Sequence, residues 1–189
     1  MTRIIAGQAR GRTITVPEEG TRPTSDRARE GLFSSLAVRW GFEGSYVLDL
    51  FAGSGALGLE AASRGAEEVH LVDASELAAK HMAHNAKVVG HPKVHIHQMK
   101  AGTYLDRAPR EHFDMVLADP PYGFDDVDGL IAKLAPVLAD RAIVVIERQV
   151  DSPEPNWPEE FTPTGQKLKK RTYGIARMDM AVFERNTHD

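Results

Sequence analysis

Cysteine is absent from the 189 residues. That removes disulfides, thiolate metal sites and cysteine nucleophiles together, and fits a reducing compartment. Long apolar runs are lacking too. Near the start only Ile4, Ile5, Ala6 and Gly7 cluster, far short of the ~18 residues that span a bilayer, so a cytoplasmic protein with no membrane partner is expected. Net positive charge is also missing: the formal balance is −4, which at first argues against a nucleic-acid partner. What is present is the make-up of a folded soluble chain, 42% hydrophobic and 26% charged, rather than of a disordered one. The length suits one domain, 1–189, with an N-terminal hairpin extension over 1–20 and a helix region over 21–41. No stripe for self-association stands out, so a monomer is expected.

The charge is unevenly placed. Arg3, Arg10 and Arg12 fall among the first 17 residues without an acid, and Lys167, Lys169, Lys170, Arg171 and Arg177 fall in 163–178, again without one. Acids gather at Glu111, Asp114, Asp119, Asp125, Asp126 and Asp128. One basic segment is ordinarily a solvated face; two flanking a single domain weaken that reading.

The pattern predicts short strands at 3–5 and 13–16 around a Gly7–Gly11 turn, ended by Pro17. Thr24 or Ser25 can cap a helix carrying Ala28, Leu32, Phe33 and Leu36, closing at Gly41. Strands at 46–51, 69–73, 94–99, 113–118 and 142–147 then alternate with helices at 56–64, 75–89 and 127–138. Alternation of this kind means an α/β, Rossmann-like parallel sheet covered on both faces. The proline-rich 151–158 reads as a loop, and 166–173 with 177–184 as a hairpin turning near Gly174.

Between the first sheet strand and its helix lies Asp49-Leu50-Phe51-Ala52-Gly53-Ser54-Gly55-Ala56-Leu57-Gly58, with Asp73 at the tip of the next strand. Gly53, Gly55 and Gly58 satisfy G-x-G-x-x-G, so a nicotinamide dinucleotide is one reading. Asp73 can accept both ribose hydroxyl protons in either cofactor class. Asp49 separates the two, because a carboxylate beside the loop repels a pyrophosphate but suits the ammonium of S-adenosylmethionine.

Asp119-Pro120-Pro121-Tyr122 follows a buried strand, at the carboxyl edge where such sheets bind ligands. Two prolines fix the backbone and leave carbonyls without neighbouring N–H donors. An exocyclic amine on a base is a poor nucleophile, since its lone pair is delocalised into the ring. Asp119 and the Pro120 carbonyl can accept its two hydrogens and favour a pyramidal nitrogen, while Tyr122 stacks on the ring; such positioning supplies several kcal/mol, toward the ~7–11 of an ideal case. A packed turn with a capping aspartate is the plain alternative. No metal is expected: His81 and His84 share a helix face and His95 and His97 a strand face, but no carboxylate completes a ligand set.

With Arg3-Ile4-Ile5-Ala6-Gly7, Gly11-Arg12, Arg22-Pro23-Thr24-Ser25-Asp26-Arg27-Ala28-Arg29-Glu30, Leu32-Phe33, the glycine loop and Asp119–Tyr122 in that order, the chain resembles the RsmD family of bacterial methyltransferases acting on guanine N2 in small-subunit ribosomal RNA. The resemblance implies a class I S-adenosylmethionine-dependent methyltransferase fold, with a seven-stranded sheet whose last strand is antiparallel. It implies S-adenosylmethionine held by Asp49, Ala52, Gly53, Ser54, Gly55, Asp73, Ala74, Lys100, Ala101 and Asp119, with Asp119, Pro120, Pro121 and Tyr122 as the catalytic turn. Lys100-Ala101 departs from the family, where an Asn or Asp before the alanine meets the adenine amino group. A lysine cannot accept that bond, so backbone groups there would have to. Arg3, Arg10, Arg12, Arg22, Thr24, Arg27 and Arg29 become candidate contacts for small-subunit ribosomal RNA, within an assembling or assembled 30S particle. Rival readings are an amino-methyltransferase for DNA adenine or a protein glutamine, and a non-catalytic RNA-binding protein on the same fold.

Overall fold

The computed structural model describes residues 1–17, 26–171 and 174–186, and side chains within these except at 26–28, 165–171 and 174–175. Strands β1 (Thr2–Arg3) and β2 (Thr13–Ile14) form a short antiparallel hairpin, followed by α1 (Asp26–Arg39). The alternating part is β3 (Tyr46–Leu50), α2 (Ala56–Ser63), β4 (Glu68–Asp73), α3 (Glu76–Val89), β5 (Val94–Gln98), α4 (Ala101–Arg107), β6 (Phe113–Ala118), α5 (Val127–Leu134) and β7 (Leu138–Gln149). Strands β8 (Phe161–Arg171) and β9 (Gly174–Phe183) close the chain as an antiparallel hairpin.

The seven-stranded sheet runs β5-β4-β3-β6-β7-β9-β8, with β9 antiparallel to both its neighbours. This is the mixed α/β sheet that the alternation and the family resemblance lead one to expect. Its order reverses beside β3, between β4 and β6, which opens a crevice at the carboxyl ends of these strands. β3 is apolar on both sides apart from Asp49. Val47 joins Phe33, Leu59 and Met82 on the α1–α3 side, whereas Leu48 and Leu50 join Val116, Val144 and Ile131 on the α4–α5 side.

Several boundaries differ from expectation, each for a local reason. α5 stops at Leu134 rather than 138, and Pro136 turns the chain through a 3-10 segment, Ala135–Val137. α4 has no counterpart in the sequence pattern; seven residues with Gly102 and Thr103 are too short to show a period. β8 begins at Phe161 rather than 166 because Pro163, a strand-breaking signal, sits on an edge strand where the register shifts between Pro163 and Gln166.

The N-terminal hairpin is fastened to the core by polar groups on α2 and α3. Buried Glu60 accepts the Ile5 and Ala6 N–H groups at 2.7 and 3.1 Å. The Ser63 hydroxyl accepts from Ala9 N–H and donates to the Ala6 carbonyl. Buried Asn85 accepts the Thr15 N–H and donates to the carbonyls of Thr15 and Ser54, joining the extension to the glycine loop. At Gly7, φ is +89°, and a Cβ would stand 1.9 Å from the Ser63 carbonyl oxygen, so only glycine permits this approach. Among the described residues no helix is long and apolar enough to cross a membrane.

Candidate active site

A cleft of about 1030 Å³ opens at the carboxyl edge of β3, β4 and β6. Its wall includes Asp49, Ala52, Gly53, Ser54, Asp73, Ala74, Lys100, Ala101, Asp119, Pro120, Pro121 and Tyr122. The glycine loop and the proline turn, separated by more than sixty residues of chain, thus face one space. Gly55 stands apart from the other candidates: at φ +83° it is the N-cap of α2 behind the wall, where a Cβ would meet Leu71 at 2.9 Å.

Asp73 shapes the loop. One carboxylate oxygen accepts the Gly53 N–H and the other the Ser75 N–H, each at 2.9 Å. Asp49 is 1% exposed and accepts the Gly58 N–H at 2.9 Å. Burial, reinforced by the nearby Asp73 charge, outweighs that hydrogen bond and pushes the Asp49 carboxyl up to about 7. Among the described residues the carboxylate therefore lacks a cation to offset its charge, a need that the ammonium of an amino-acid ligand in the cleft would meet. Both loop aspartates, the close-approach glycines and the enclosed volume fit S-adenosylmethionine.

At the acceptor side, the Asp119 N–H reaches the Leu50 carbonyl at 3.4 Å, and the Phe124 N–H closes the turn onto the Pro121 carbonyl at 3.0 Å. Tyr122 is 74% exposed at the mouth. Phe124 packs edge-on against Phe51, ring centroids 5.3 Å apart. Phe51 itself has φ 56°, a left-handed conformation that is strained for a bulky side chain and is held by the Ala52 N–H bond to the Val72 carbonyl. Phe51, Phe124, Leu77, Val16 and Pro17 line the cleft and are not among the sequence candidates. Val16 and Pro17 show that the N-terminal extension helps to wall it. No local motif marks them, since they are brought there by Asn85.

The basic candidates separate into distinct roles. Arg3 and Arg10 are exposed. Arg12 is exposed, but its guanidinium donates to the carbonyls of Val88 and Val89, each at 3.0 Å, at the end of α3. Arg29 corrects the expectation of an RNA contact. It is fully buried, donates to Thr2 Oγ1 and the Arg3 carbonyl, and lies 3.9 Å from Glu60, so it anchors the hairpin instead. Arg22 and Thr24 lie outside the described residues, as does the side chain of Arg27.

The expectation that no carboxylate joins the histidines is also overturned. Glu68 lies 2.7 Å from His112 and 3.4 Å from both His70 and His95, on the sheet but away from the cleft. His81 instead meets Thr15 Oγ1 at 2.7 Å.

The family described as Conserved hypothetical protein 95 matches residues 2–181. The Escherichia coli protein named ribosomal RNA small subunit methyltransferase D is 34% identical over 169 residues, 88% of this chain and 84% of that one. Its Haemophilus influenzae namesake is 35% identical over 179 residues, 92% and 89% of the two chains. Among solved structures, the Escherichia coli protein yhhF superposes with a TM-score of 0.84 at 30% identity, covering 97% of this chain and 98% of that chain.

Proposed function

Since the chain belongs to the family described as Conserved hypothetical protein 95, the RsmD family, we propose that it methylates the exocyclic N2 amine of a guanine in small-subunit ribosomal RNA, with S-adenosylmethionine as donor. Methylation of ribosomal RNA is the activity named for its relatives. The observation that carries the reading is the shared cleft, in which Asp49, Gly53 and Asp73 face the same volume as Asp119–Tyr122.

Asp73 and the Gly53 loop would hold the ribose side of the donor, Asp49 its ammonium, and Ala74 with the backbone at Lys100 and Ala101 its adenine. Bound there, S-adenosylmethionine supplies an electrophilic methyl group on a positively charged sulfur. The Asp119 carboxylate and the Pro120 carbonyl accept the two hydrogens of the acceptor amine and localise its lone pair for attack. Pro121 keeps that turn rigid, and Tyr122 offers its exposed face to the base. After transfer the nitrogen carries one proton too many, which Asp119 takes and passes to water. Orientation of this kind lowers the barrier by several kcal/mol without a covalent intermediate. Extruding a base costs a few kcal/mol, and exposed Arg3 and Arg10 on the N-terminal extension supply phosphate contacts that offset it. The RNA is presented as part of an assembling or assembled small subunit, to a monomeric enzyme.

Labelled methyl transfer to small subunits that lack the modification tests the reading, run beside calorimetric titration of the chain with S-adenosylmethionine and with a nicotinamide dinucleotide. Saturable binding of the first only, together with label in the RNA, is the expected result. Dinucleotide binding, or label confined to ribosomal protein, overturns it.

A further inference from the structure

Four histidines and one glutamate gather on one face of β4, β5 and the approach to β6, with Glu68 at the end of β4 away from the cleft. β4 carries Glu68 and His70 two residues apart, on one face. β5 carries His95 and His97 on that same face, with His95 paired to His70, and His112 precedes β6. Glu68 lies at the start of β4 and Asp73 at its end, five residues or about 16 Å apart, so the carboxylate of the cluster stands well away from the cofactor loop.

The distances are those of a ligand set. One Glu68 oxygen is 3.4 Å from Nε2 of both His70 and His95, and the other is 2.7 Å from Nε2 of His112. Donor atoms of Glu68, His70 and His112 all lie within 4.8 Å of one another. Tetrahedral zinc with bonds of ~2.0–2.1 Å holds its ligand atoms about 3.3–3.4 Å apart, so the His112 contact, now 2.7 Å, would open by roughly 0.6–0.7 Å as metal replaces its proton.

Two further observations suit an ion at this place. His70 Nε2 is buried without a hydrogen-bond partner among the described residues, and it is aimed at the carboxylate. His70 Nδ1 lies 2.9 Å from His97 Nε2. The tautomer that donates Nδ1–H to His97 leaves the Nε2 lone pair for an ion, the usual outer support of a metal-bound imidazole. His112 is partly exposed and His95 about half exposed, which leaves a path from solvent.

We propose that Glu68, His70 and His112 bind one divalent zinc-class ion, with His97 as the positioning residue that orients His70. Two imidazoles and one carboxylate suit zinc, cobalt or nickel, and disfavour magnesium and calcium, which prefer oxygen ligands. Three protein ligands leave a fourth position to water, and the ion ties β4 to the approach to β6.

The test uses the untagged full chain, stripped with a chelator and titrated with zinc chloride by calorimetry, with thermal unfolding followed alongside. One equivalent should bind with a dissociation constant in the micromolar range or tighter, and Tm should rise with zinc concentration. A Glu68→Gln/His112→Gln double variant should weaken binding at least a hundredfold. His112→Gln alone, at the partly exposed ligand, should weaken it about tenfold, and it serves if the double variant does not fold. His84→Gln, on the exposed side of α3, should change nothing. Cobalt in place of zinc should give the intense visible spectrum of a tetrahedral site. Absence of saturable zinc binding, binding unaltered by His112→Gln, or an octahedral cobalt spectrum would overturn the assignment.

Discussion

Replacing Asp49 with asparagine separates what this carboxylate costs the fold from what it contributes to the cofactor. Its carboxyl sits at 3.8 in an unfolded chain and about 7 in the folded one. The folded state thus keeps a proton that the unfolded state gives up. Stability from this group is fully present below pH ~3.8 and is lost as pH rises through about 7. A shift of about three units corresponds to on the order of 4 kcal/mol, an upper bound for so buried a group. The amide in Asp49→Asn would stay neutral at every pH, and its oxygen could still accept the Gly58 N–H. Urea unfolding of Asp49→Asn and wild type at pH 5 and pH 8 should show the variant gaining on wild type toward alkaline pH by up to about 2.7 kcal/mol, the share of the shift that lies above pH 5. Other titrating groups cancel in the difference. Cofactor binding should move the opposite way. Below pH 7 wild type must release the Asp49 proton to receive the ammonium, so its affinity for S-adenosylmethionine should fall by up to tenfold per pH unit, whereas the weaker affinity of Asp49→Asn should be flat. Parallel stability profiles, or wild-type affinity constant from pH 5.5 to 7.5, would refute the reasoning.

Further outcomes follow from particular contacts. Glu60→Gln removes the buried charge that faces Arg29 and weakens the anchor of Ile5 and Ala6; urea unfolding should show a loss of about 3 kcal/mol, and a loss under about 1 would contradict that role. Gly7→Ala cannot keep its approach to Ser63, so limited proteolysis should cut the first 17 residues faster than in wild type. Tyr122→Ala should lower kcat/KM for RNA by about 10–100-fold, the range of one base-stacking contact, with calorimetric cofactor affinity unchanged. Arg10→Glu should weaken RNA methylation without moving Tm, while Arg12→Glu should also lower Tm because its guanidinium caps α3; equal Tm values for the two would count against that assignment.

The sheet and the cleft were legible because their signals are local. Gly53-Ser54-Gly55 and Asp119–Tyr122 are punctuated by residues with unusual backbone demands, and β3 and β6 read as buried apolar runs. What escaped was set by tertiary contact. Arg29 looks like any surface arginine of a basic segment, and only its pairing across to Glu60, Thr2 and Arg3 makes it a buried anchor. Glu60 and Asn85 lie in helices where polar residues are unremarkable, yet they hold the hairpin and bring Val16 and Pro17 to the cleft. The histidine cluster was half visible. His95 and His97 share a face in any strand, but the register that sets Glu68 and His70 beside them, and the loop that returns His112, are not written in local spacing.

The central claim is that the cleft methylates guanine N2. Small subunits lacking the modification, incubated with the chain and labelled S-adenosylmethionine and then digested to nucleosides, test it most directly. Label co-migrating with N2-methylguanosine, and abolished by Asp119→Ala, is the predicted result. Label in any other nucleoside, or N2-methylguanosine formed equally well by Asp119→Ala, would contradict it.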